Sequence, residues 1–120
     1  MLNDATCFKN IYIVCGTTDM RAGIDRLVSI AQAGLGVSPY MPDTLFMFCG
    51  RRADRIKCIT WEGDGWLLLS KRLSDSRFQW PRTESEVRSL SQKQFRWLMD
   101  GLTIDPKKSV KQVDPPEYFA

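Results

Sequence analysis

The stretch from Leu45 to Pro81 reads LFMFCGRRADRIKCITWEGDGWLLLSKRLSDSRFQWP, and it contains three apolar runs separated by short polar turns. The runs are Leu45–Cys49, Arg55–Trp61 and Trp66–Leu73. Runs of this length, bounded by Gly, Asp and Arg, are typical of consecutive antiparallel strands joined by hairpins. The stretch therefore predicts a β-meander, which is stable only if other segments cover one of its faces.

The segment before the meander predicts a strand followed by a helix. Ile11–Val14 is a short apolar run with strand character, and an apolar stripe at helical spacing begins at Met20. Residues 17–19 (Thr, Thr, Asp) are candidate N-caps for this helix. Gly34 and Gly36 are expected to end it.

The segment after the meander predicts further extended structure and a second helix. Arg77–Trp80 reads as a fourth short strand, closed by a proline, and Val87–Leu90 as one more extended piece. Ser91 and Gln94 have the spacing of a capping box, which marks the start of the last helix. Gly101 is the expected terminator of that helix.

These elements predict an α+β fold. We expect an antiparallel β-meander of four or more strands with two helices packed on one face, because each helical stripe needs an apolar sheet face against which to be buried. At 120 residues the chain is long enough for one core. We place a single domain at residues 1–105 and predict an extended tail for residues 106–120, which lack periodicity and carry three prolines.

The composition excludes several classes of protein. The absence of histidine removes the commonest general base and metal ligand. The four cysteines form no CxxC pair, so we expect reduced and mostly buried thiols rather than disulfides or metal ligands. No apolar run approaches the roughly 18 residues of a membrane span, and the opening MLNDATCFKN lacks the apolar core of a signal peptide. We therefore expect a cytoplasmic protein with no membrane contact, no cofactor and no metal.

The positive charge is concentrated on the meander. Residues 51–82 carry eight basic and four acidic side chains, while the whole chain has a net charge of +3. Basic strands that also carry aromatic residues suit contact with phosphates and stacking on bases. The alternative is a solvated sheet face whose long side chains cover apolar surface. The six candidate nucleic-acid-binding residues are Arg51, Arg52, Arg55, Lys57, Lys71 and Arg72.

Three other patterns have simpler explanations. Glu62 and Asp64 are close in sequence, as Mg²⁺ ligands are, but acids at such a position usually serve the hairpin turn. Arg21 and Asp25 are i, i+4 neighbours, so we predict a local ion pair between them. Trp97 lies off the main stripe of the last helix, and an exposed tryptophan there would favour a protein interface.

Several separated motifs resemble those of one family, the TnpB (Orf2-like) accessory proteins of the insertion sequence 66 family of bacterial transposable elements. The similarity runs from about residue 10 to residue 102, and at Ala22 members commonly have a lysine. The matching positions, in order, are Tyr12, Gly16, Thr18-Asp19-Met20-Arg21, Gly23, Asp25, Leu27, Leu45-Phe46-Met47-Phe48, Arg51-Arg52, Asp54-Arg55-Ile56-Lys57, Trp61-Glu62, Gly65, Lys71-Arg72-Leu73, Phe78, Trp80 and Pro81.

The resemblance implies an accessory protein of transposition, encoded beside a separate and larger transposase, with no catalytic activity assigned to the family. Two hypotheses follow for its role. In the first, the six basic residues bind DNA phosphates. In the alternative, the chain is a protein-interaction module that binds and regulates the transposase without contacting DNA, through the edge of the meander or Trp97. The sequence leaves the oligomeric state open.

Overall fold

The computed structural model describes residues 2–82 and 86–105 and shows an α+β fold, as predicted. One mixed five-stranded sheet and two helices make up its regular structure. The strands are β1 (Asn10–Val14), β2 (Thr44–Cys49), β3 (Arg55–Trp61), β4 (Trp66–Arg72) and β5 (Val87–Leu90). The helices are α1 (Ile24–Leu35) and α2 (Gln92–Met99). The tail predicted for residues 106–120 lies outside the described residues.

The sheet has the strand order β4-β3-β2-β1-β5, and only part of it is a meander. β2, β3 and β4 form the predicted antiparallel hairpins, and β5 also pairs antiparallel, with β1. β1 and β2 are parallel. A parallel pair needs a long crossover connection, and α1 supplies it. The prediction of an antiparallel meander is therefore correct for β2, β3 and β4, but the sheet as a whole is mixed because β1 joins it parallel to β2.

The central strand β2 explains why the two helices lie on opposite faces of the sheet. All six residues of β2 are buried. Phe46 and Phe48 pack in the cluster that contains α1, whereas Leu45, Met47 and Cys49 pack in the cluster that contains α2. A strand covered on both faces has a continuous apolar run instead of an alternating one. The prediction that both helices pack on one face was wrong, and we call the two sides the α1 face and the α2 face.

The segment from Arg77 to Trp80 is not a strand, although its burial alternates. Phe78 and Trp80 are buried in the cluster on the α2 face, while Arg77 and Gln79 are exposed. The Phe78 N–H donates to the Ala53 carbonyl at 2.8 Å, and the Trp80 indole donates to the Val14 carbonyl at 2.9 Å. These are isolated bonds and not a ladder. The prediction of a fourth meander strand at these residues was therefore wrong, because side-chain burial also alternates in this anchored loop.

The first helix begins later than its apolar stripe suggests. Its N-cap is Gly23, and the carboxylate of Asp19 instead accepts from the backbone N–H of Arg21 at 2.9 Å. Met20 therefore belongs to the loop before the helix. The helix ends at Gly36, whose left-handed backbone (φ 76°) supplies the expected stop, while Gly34 lies within the last turn.

The start of α2 and the state of the thiols agree with the sequence. Ser91 Oγ accepts from the Gln94 N–H at 3.1 Å, and Gln94 Oε1 accepts from the Ser91 N–H at 3.0 Å, which completes the capping box. All four cysteines are free thiols, and only Cys7 among them is exposed. Within the described parts of the chain, no helix is both long enough and apolar enough to cross a membrane.

Candidate nucleic-acid interface

A cleft opens where the carboxyl ends of β1 and β2 meet. Because these strands are parallel, the loop that follows β1 and the turn that follows β2 lie side by side at the same edge of the sheet. The cleft between them has a volume of about 470 Å³. The charged residues that line it are Asp19, Arg21, Arg51, Arg52, Asp54 and Arg55. Four arginines face two aspartates, and we call this site the arginine cleft.

Two contacts hold the loops that border the arginine cleft. The Thr18 N–H donates to the Cys49 carbonyl at 2.9 Å. Met20 packs against Gly50 so closely that a Cβ on this glycine would lie 2.6 Å from Met20 Cγ. A glycine is therefore required here for this close approach of the two loops.

The Arg82 side chain also connects these two loops by hydrogen bonds. Its Nη1 donates to the Gly16 carbonyl at 2.8 Å and to Thr17 Oγ1 at 3.0 Å. Its Nη2 donates to the Gly50 carbonyl at 2.6 Å and to the Arg51 carbonyl at 3.4 Å. The planar guanidinium is suited to this forked contact. Arg82 is therefore a structural arginine, and its charge is used within the protein.

The turn after β2 presents the two arginines of the Arg51-Arg52 motif. The Ala53 N–H donates to the Gly50 carbonyl at 3.1 Å, which makes Arg51 and Arg52 the two central residues of a β-turn. Both are exposed, and in the described part of the chain neither side chain bonds to a carboxylate. Ala53 has φ 62°, a left-handed conformation that costs a non-glycine residue roughly 1–2 kcal/mol. The turn thus holds two unneutralised guanidinium groups at the rim of the cleft.

Arg55 and Arg72 extend the positive surface along the sheet. The register of β3 and β4 places them directly opposite each other. They lie on the α1 face. Ile59 is four residues after Arg55 in β3 and therefore on the same face, and it packs in the cluster that contains α1. Like charges directly opposite in a sheet are destabilising. No carboxylate among the described residues pairs with either arginine, so a bound anion would relieve their repulsion.

The two lysines of the predicted site do not join this surface. The Lys57 ammonium donates to the Ala22 carbonyl at 3.0 Å and so anchors the loop before α1. Lys71 shares the α2 face with Leu69, and its Nζ lies 2.5 Å from Asn3 Oδ1. The six predicted residues therefore divide. Arg51, Arg52 and Arg55 line the cleft, with Arg72 beside them, while Lys57 is used structurally and Lys71 lies on the opposite side of the sheet.

Arg21 was not among the predicted site residues, yet it lines the cleft. Its ion pair is with Asp19 at 2.9 Å, so the predicted pairing with Asp25 was wrong. Hydrogen bonds from the Arg21 guanidinium and backbone lower the pKa of Asp19 to about 2, and the carboxylate therefore stays charged at neutral pH. The signal that could have found Arg21 is its place in the loop after a strand, next to Thr and Asp, rather than on a helix.

Comparison with known families bears out the resemblance. Residues 9–109 match the family described as "IS66 Orf2 like protein". This chain belongs to that family. Membership implies an accessory protein of transposition, in a family that is not a known catalytic one.

Two proteins of Sinorhizobium fredii (strain NBRC 101917 / NGR234) are similar to this IS66 Orf2-like chain. One, y4jC, is 33% identical over 104 residues, which cover 85% of this chain and 88% of y4jC. The other, y4hO, is 36% identical over 92 residues, which cover 77% of this chain and 79% of y4hO. No solved structure matches the chain.

Three aromatic residues of this IS66 Orf2-like protein gather at the other end of the sheet. Tyr40, Trp61 and Trp66 contact one another, with ring centroids 4.8 Å (Tyr40–Trp61), 5.1 Å (Tyr40–Trp66) and 5.5 Å (Trp61–Trp66) apart. Trp61 and Trp66 close the β3–β4 hairpin, six residues from Arg55 and Arg72, or roughly 20 Å along the strands. In the described part of the chain, no aromatic ring lines the arginine cleft, contrary to the expected mixture of arginines and aromatics.

The remaining candidate residues are Trp97, Glu62 and Asp64. Trp97 is half-buried and not exposed, and the Lys93 ammonium lies 5.2 Å from the centroid of its ring. Glu62 and Asp64 are exposed in the β3–β4 turn. Across residues 2–82 and 86–105, no group of three His, Cys, Asp or Glu side chains is arranged to hold a metal ion.

Proposed function

We propose that this accessory protein binds DNA without catalysing a reaction on it. The arginine cleft is the binding site, and its arginines contact the DNA phosphates. The observation that carries the proposal is the convergence of Arg51, Arg52 and Arg55 on one cleft, where no carboxylate of residues 2–82 or 86–105 is bonded to them. Arg72 extends the same surface on the α1 face. Guanidinium groups form forked, charge-assisted hydrogen bonds to phosphate oxygens, which suits this arrangement to a nucleic-acid backbone.

The geometry favours contact with the backbone over reading of base sequence. The cationic groups sit in a turn and on strand ends, and none of the described residues that line the cleft is helical or aromatic. Phosphate contacts position a protein on DNA and make its affinity depend on salt, because each neutralised phosphate releases counterions. With four arginines engaged, the slope of log K against log salt is expected to be about −3.6 for duplex DNA.

The experiment is fluorescence anisotropy with a labelled duplex taken from one end of the transposable element, measured over a series of salt concentrations. The double variant Arg51→Ala/Arg52→Ala is expected to bind at least tenfold more weakly and to reduce the salt slope by about 2. Two matched controls are Arg96→Ala, an exposed arginine on α2, and Lys71→Ala on the α2 face; both should stay near wild type.

Three results would overturn the proposal. They are absence of binding at low salt, binding that does not respond to salt, and equal losses in the double variant and the Arg96→Ala control. Cleavage or strand transfer of the same duplex on addition of Mg²⁺ would overturn its non-catalytic part.

We also propose the transposase as a second partner, bound at the aromatic end of the sheet. Val37 and Tyr40, in the loop before β2, are 59% and 51% exposed, and Tyr40 leans on the two tryptophans of the hairpin. Rigid aromatic side chains of this kind are typical anchors of protein interfaces. The two chains should co-purify without DNA, and Tyr40→Ser should weaken the complex, whereas Trp97→Ala should not. Co-purification lost on Trp97→Ala but retained in Tyr40→Ser would contradict this placement.

A further inference from the structure

The two edges of the sheet differ in how far they are protected. β5 has four residues, which is short for an edge strand, whereas β4 has seven, each paired in an unbroken register with β3. Natural sheets blunt their edges with short strands, prolines or bulges, because a long regular edge pairs with other chains. β4 contains no proline or glycine, and its half Trp66–Leu69 is apolar. Of the devices that blunt an edge, β4 therefore has only charged side chains, Lys71 and Arg72, and both lie at its end.

The hydrogen bonds at both ends of the β3–β4 hairpin show which backbone groups face outward. The Glu62 N–H donates to the Gly65 carbonyl at 2.9 Å, and the Leu73 N–H donates to the Asp54 carbonyl at 2.7 Å. Because bonded and non-bonded pairs alternate in an antiparallel ladder, Leu67, Leu69 and Lys71 bond to β3. The residues whose N–H and C=O groups point away from the sheet are Trp66, Leu68, Ser70 and Arg72.

We infer that the β4 edge pairs with the β4 edge of a second copy of this chain, antiparallel and with a two-fold axis at Leu69. In this register Trp66 lies opposite the partner's Arg72, and Leu68 opposite the partner's Ser70. All four outward-facing residues of each copy then form hydrogen-bonded pairs. Leu69 meets its own equivalent in the pair without hydrogen bonds, where side chains approach most closely.

The side chains of β4 are complementary to those of a second copy. The strand is apolar at its start and basic at its end, since Lys71 and Arg72 follow the run of leucines. An antiparallel pair sets each basic end against an apolar end, while a parallel pair would place like charges opposite each other. The partner's Arg72 also reaches the face of Trp66, a favourable cation–π position.

A two-fold axis perpendicular to the sheet leaves the two α1 faces on the same side. The result is a continuous sheet of both copies, with one arginine cleft at each end of the shared surface. If the proposed DNA binding holds, the dimer offers two clefts to one duplex or to two. The pairing of β4 with β4 does not depend on that binding, and the experiment below is carried out without DNA.

The test is sedimentation of the full chain from about 1 to 100 μM, a range that covers micromolar self-association. The wild type is expected to dimerise. Ser70→Pro removes an outward N–H and leaves the bonds of β4 to β3 intact, so it should raise the dimer dissociation constant at least tenfold. Ser70→Thr, which keeps the N–H, should dimerise as the wild type does.

A cross-link fixes the register and covers the case in which the proline variant fails to fold. In a Cys7→Ser/Cys58→Ala background, which removes the exposed thiol and the thiol opposite position 69 on β3, Leu69→Cys should form a disulfide-linked dimer on oxidation, because Cα atoms at this position lie within the range that a disulfide spans. Leu67→Cys, which lies opposite the partner's Lys71, should form far less. A wild type that stays monomeric throughout, a dimer unaffected by folded Ser70→Pro, or equal cross-linking at positions 67 and 69 would each overturn the inference.

Discussion

The two faces of the sheet are built differently, although they share the central strand. On the α2 face, fifteen buried residues form one cluster that joins α2, the strands and the segment carrying Phe78 and Trp80. On the α1 face, the buried cluster has seven residues, and nine half-buried apolar residues pack around it. Among the described residues, the α2 face therefore has the larger buried cluster, while the α1 face has the smaller one and carries exposed arginines at one end.

This difference separates stability from binding. The larger buried cluster of the α2 face contributes more burial of apolar area, which dominates the free energy of folding. A face that ends in unneutralised arginines contributes less to stability and offers its charges to a partner. Substitutions on the two faces should therefore have different consequences, and four predictions test this, from the largest effect to the smallest.

Matched truncations in the two helices compare the faces directly. Leu98 in α2 and Leu27 in α1 are both fully buried. Leu98→Ala should cost about 4–5 kcal/mol in the free energy of unfolding, and Leu27→Ala about 3 kcal/mol, because half-buried neighbours on the α1 face can collapse into the cavity. Urea unfolding of both variants measures the difference. Equal losses, or a larger loss for Leu27→Ala, would contradict the view that the α1 face is the looser one.

Arg82→Lys tests the part of the cleft that belongs to structure. The variant keeps the charge but loses the forked contacts to Gly16, Gly50 and Arg51. It should lower the free energy of unfolding by about 2–3 kcal/mol and weaken DNA binding as the loops move apart. Arg77→Lys, in an exposed position of the same segment, is the control and should be neutral. If the two substitutions behave alike, Arg82 is not the structural arginine.

Two thiols probe how well the α2 face is sealed. Burial raises the pKa of Cys49 to about 11 and that of Cys58 to about 12, from 9.0. Above pH 9 the unfolded chain loses these protons while the folded chain keeps them, so stability should fall between pH 9 and 11, by on the order of 1 kcal/mol per pH unit for each thiol. Unfolding of the wild type and of Cys58→Ala as a function of pH gives the slope. A slope that the substitution leaves unchanged would show that this site is not sealed.

Asp19→Asn tests whether the negative charge of Asp19 weakens anion binding in the arginine cleft. Asp19 holds Arg21 at 2.9 Å and adds a negative charge to the cleft. Removing that charge should tighten DNA binding about two- to fivefold, since exposed ion pairs are worth up to about 1 kcal/mol. Anisotropy at one low salt concentration measures the change, with Asp100→Asn at the end of α2 as the control. Weaker or unchanged binding would argue against phosphate contact at this cleft.

Local patterns predicted the local parts of the fold. The alternation in β3, the glycine-bounded turns and the Ser91–Gln94 spacing each depend on a few neighbouring residues, and each appears in the structure. The parallel pairing of β1 with β2 depends on residues about 34 positions apart, and no short motif encodes it. The side of the sheet that each helix covers is likewise a long-range property.

The candidate site shows the same limit. The excess of charge pointed to Arg51, Arg52 and Arg55, which the fold brings to one cleft, and the period of two in a strand placed Lys71 and Arg72 on opposite faces. It could not say which face is open. Nothing in the sequence distinguishes Arg77 from Arg82, since only the folded loops create the carbonyl cage that binds one of them.

That cage has a consequence for what the cleft can accept. Strands end in carbonyl oxygens, and the carboxyl edge of two parallel strands would by itself present a rim of negative dipoles to any approaching phosphate. The Arg82 guanidinium donates hydrogen bonds to the carbonyl oxygens of Gly16 and Gly50. The half-buried Arg82 cation thus offsets the electronegative edge, so that the outer arginines can hold an anion there.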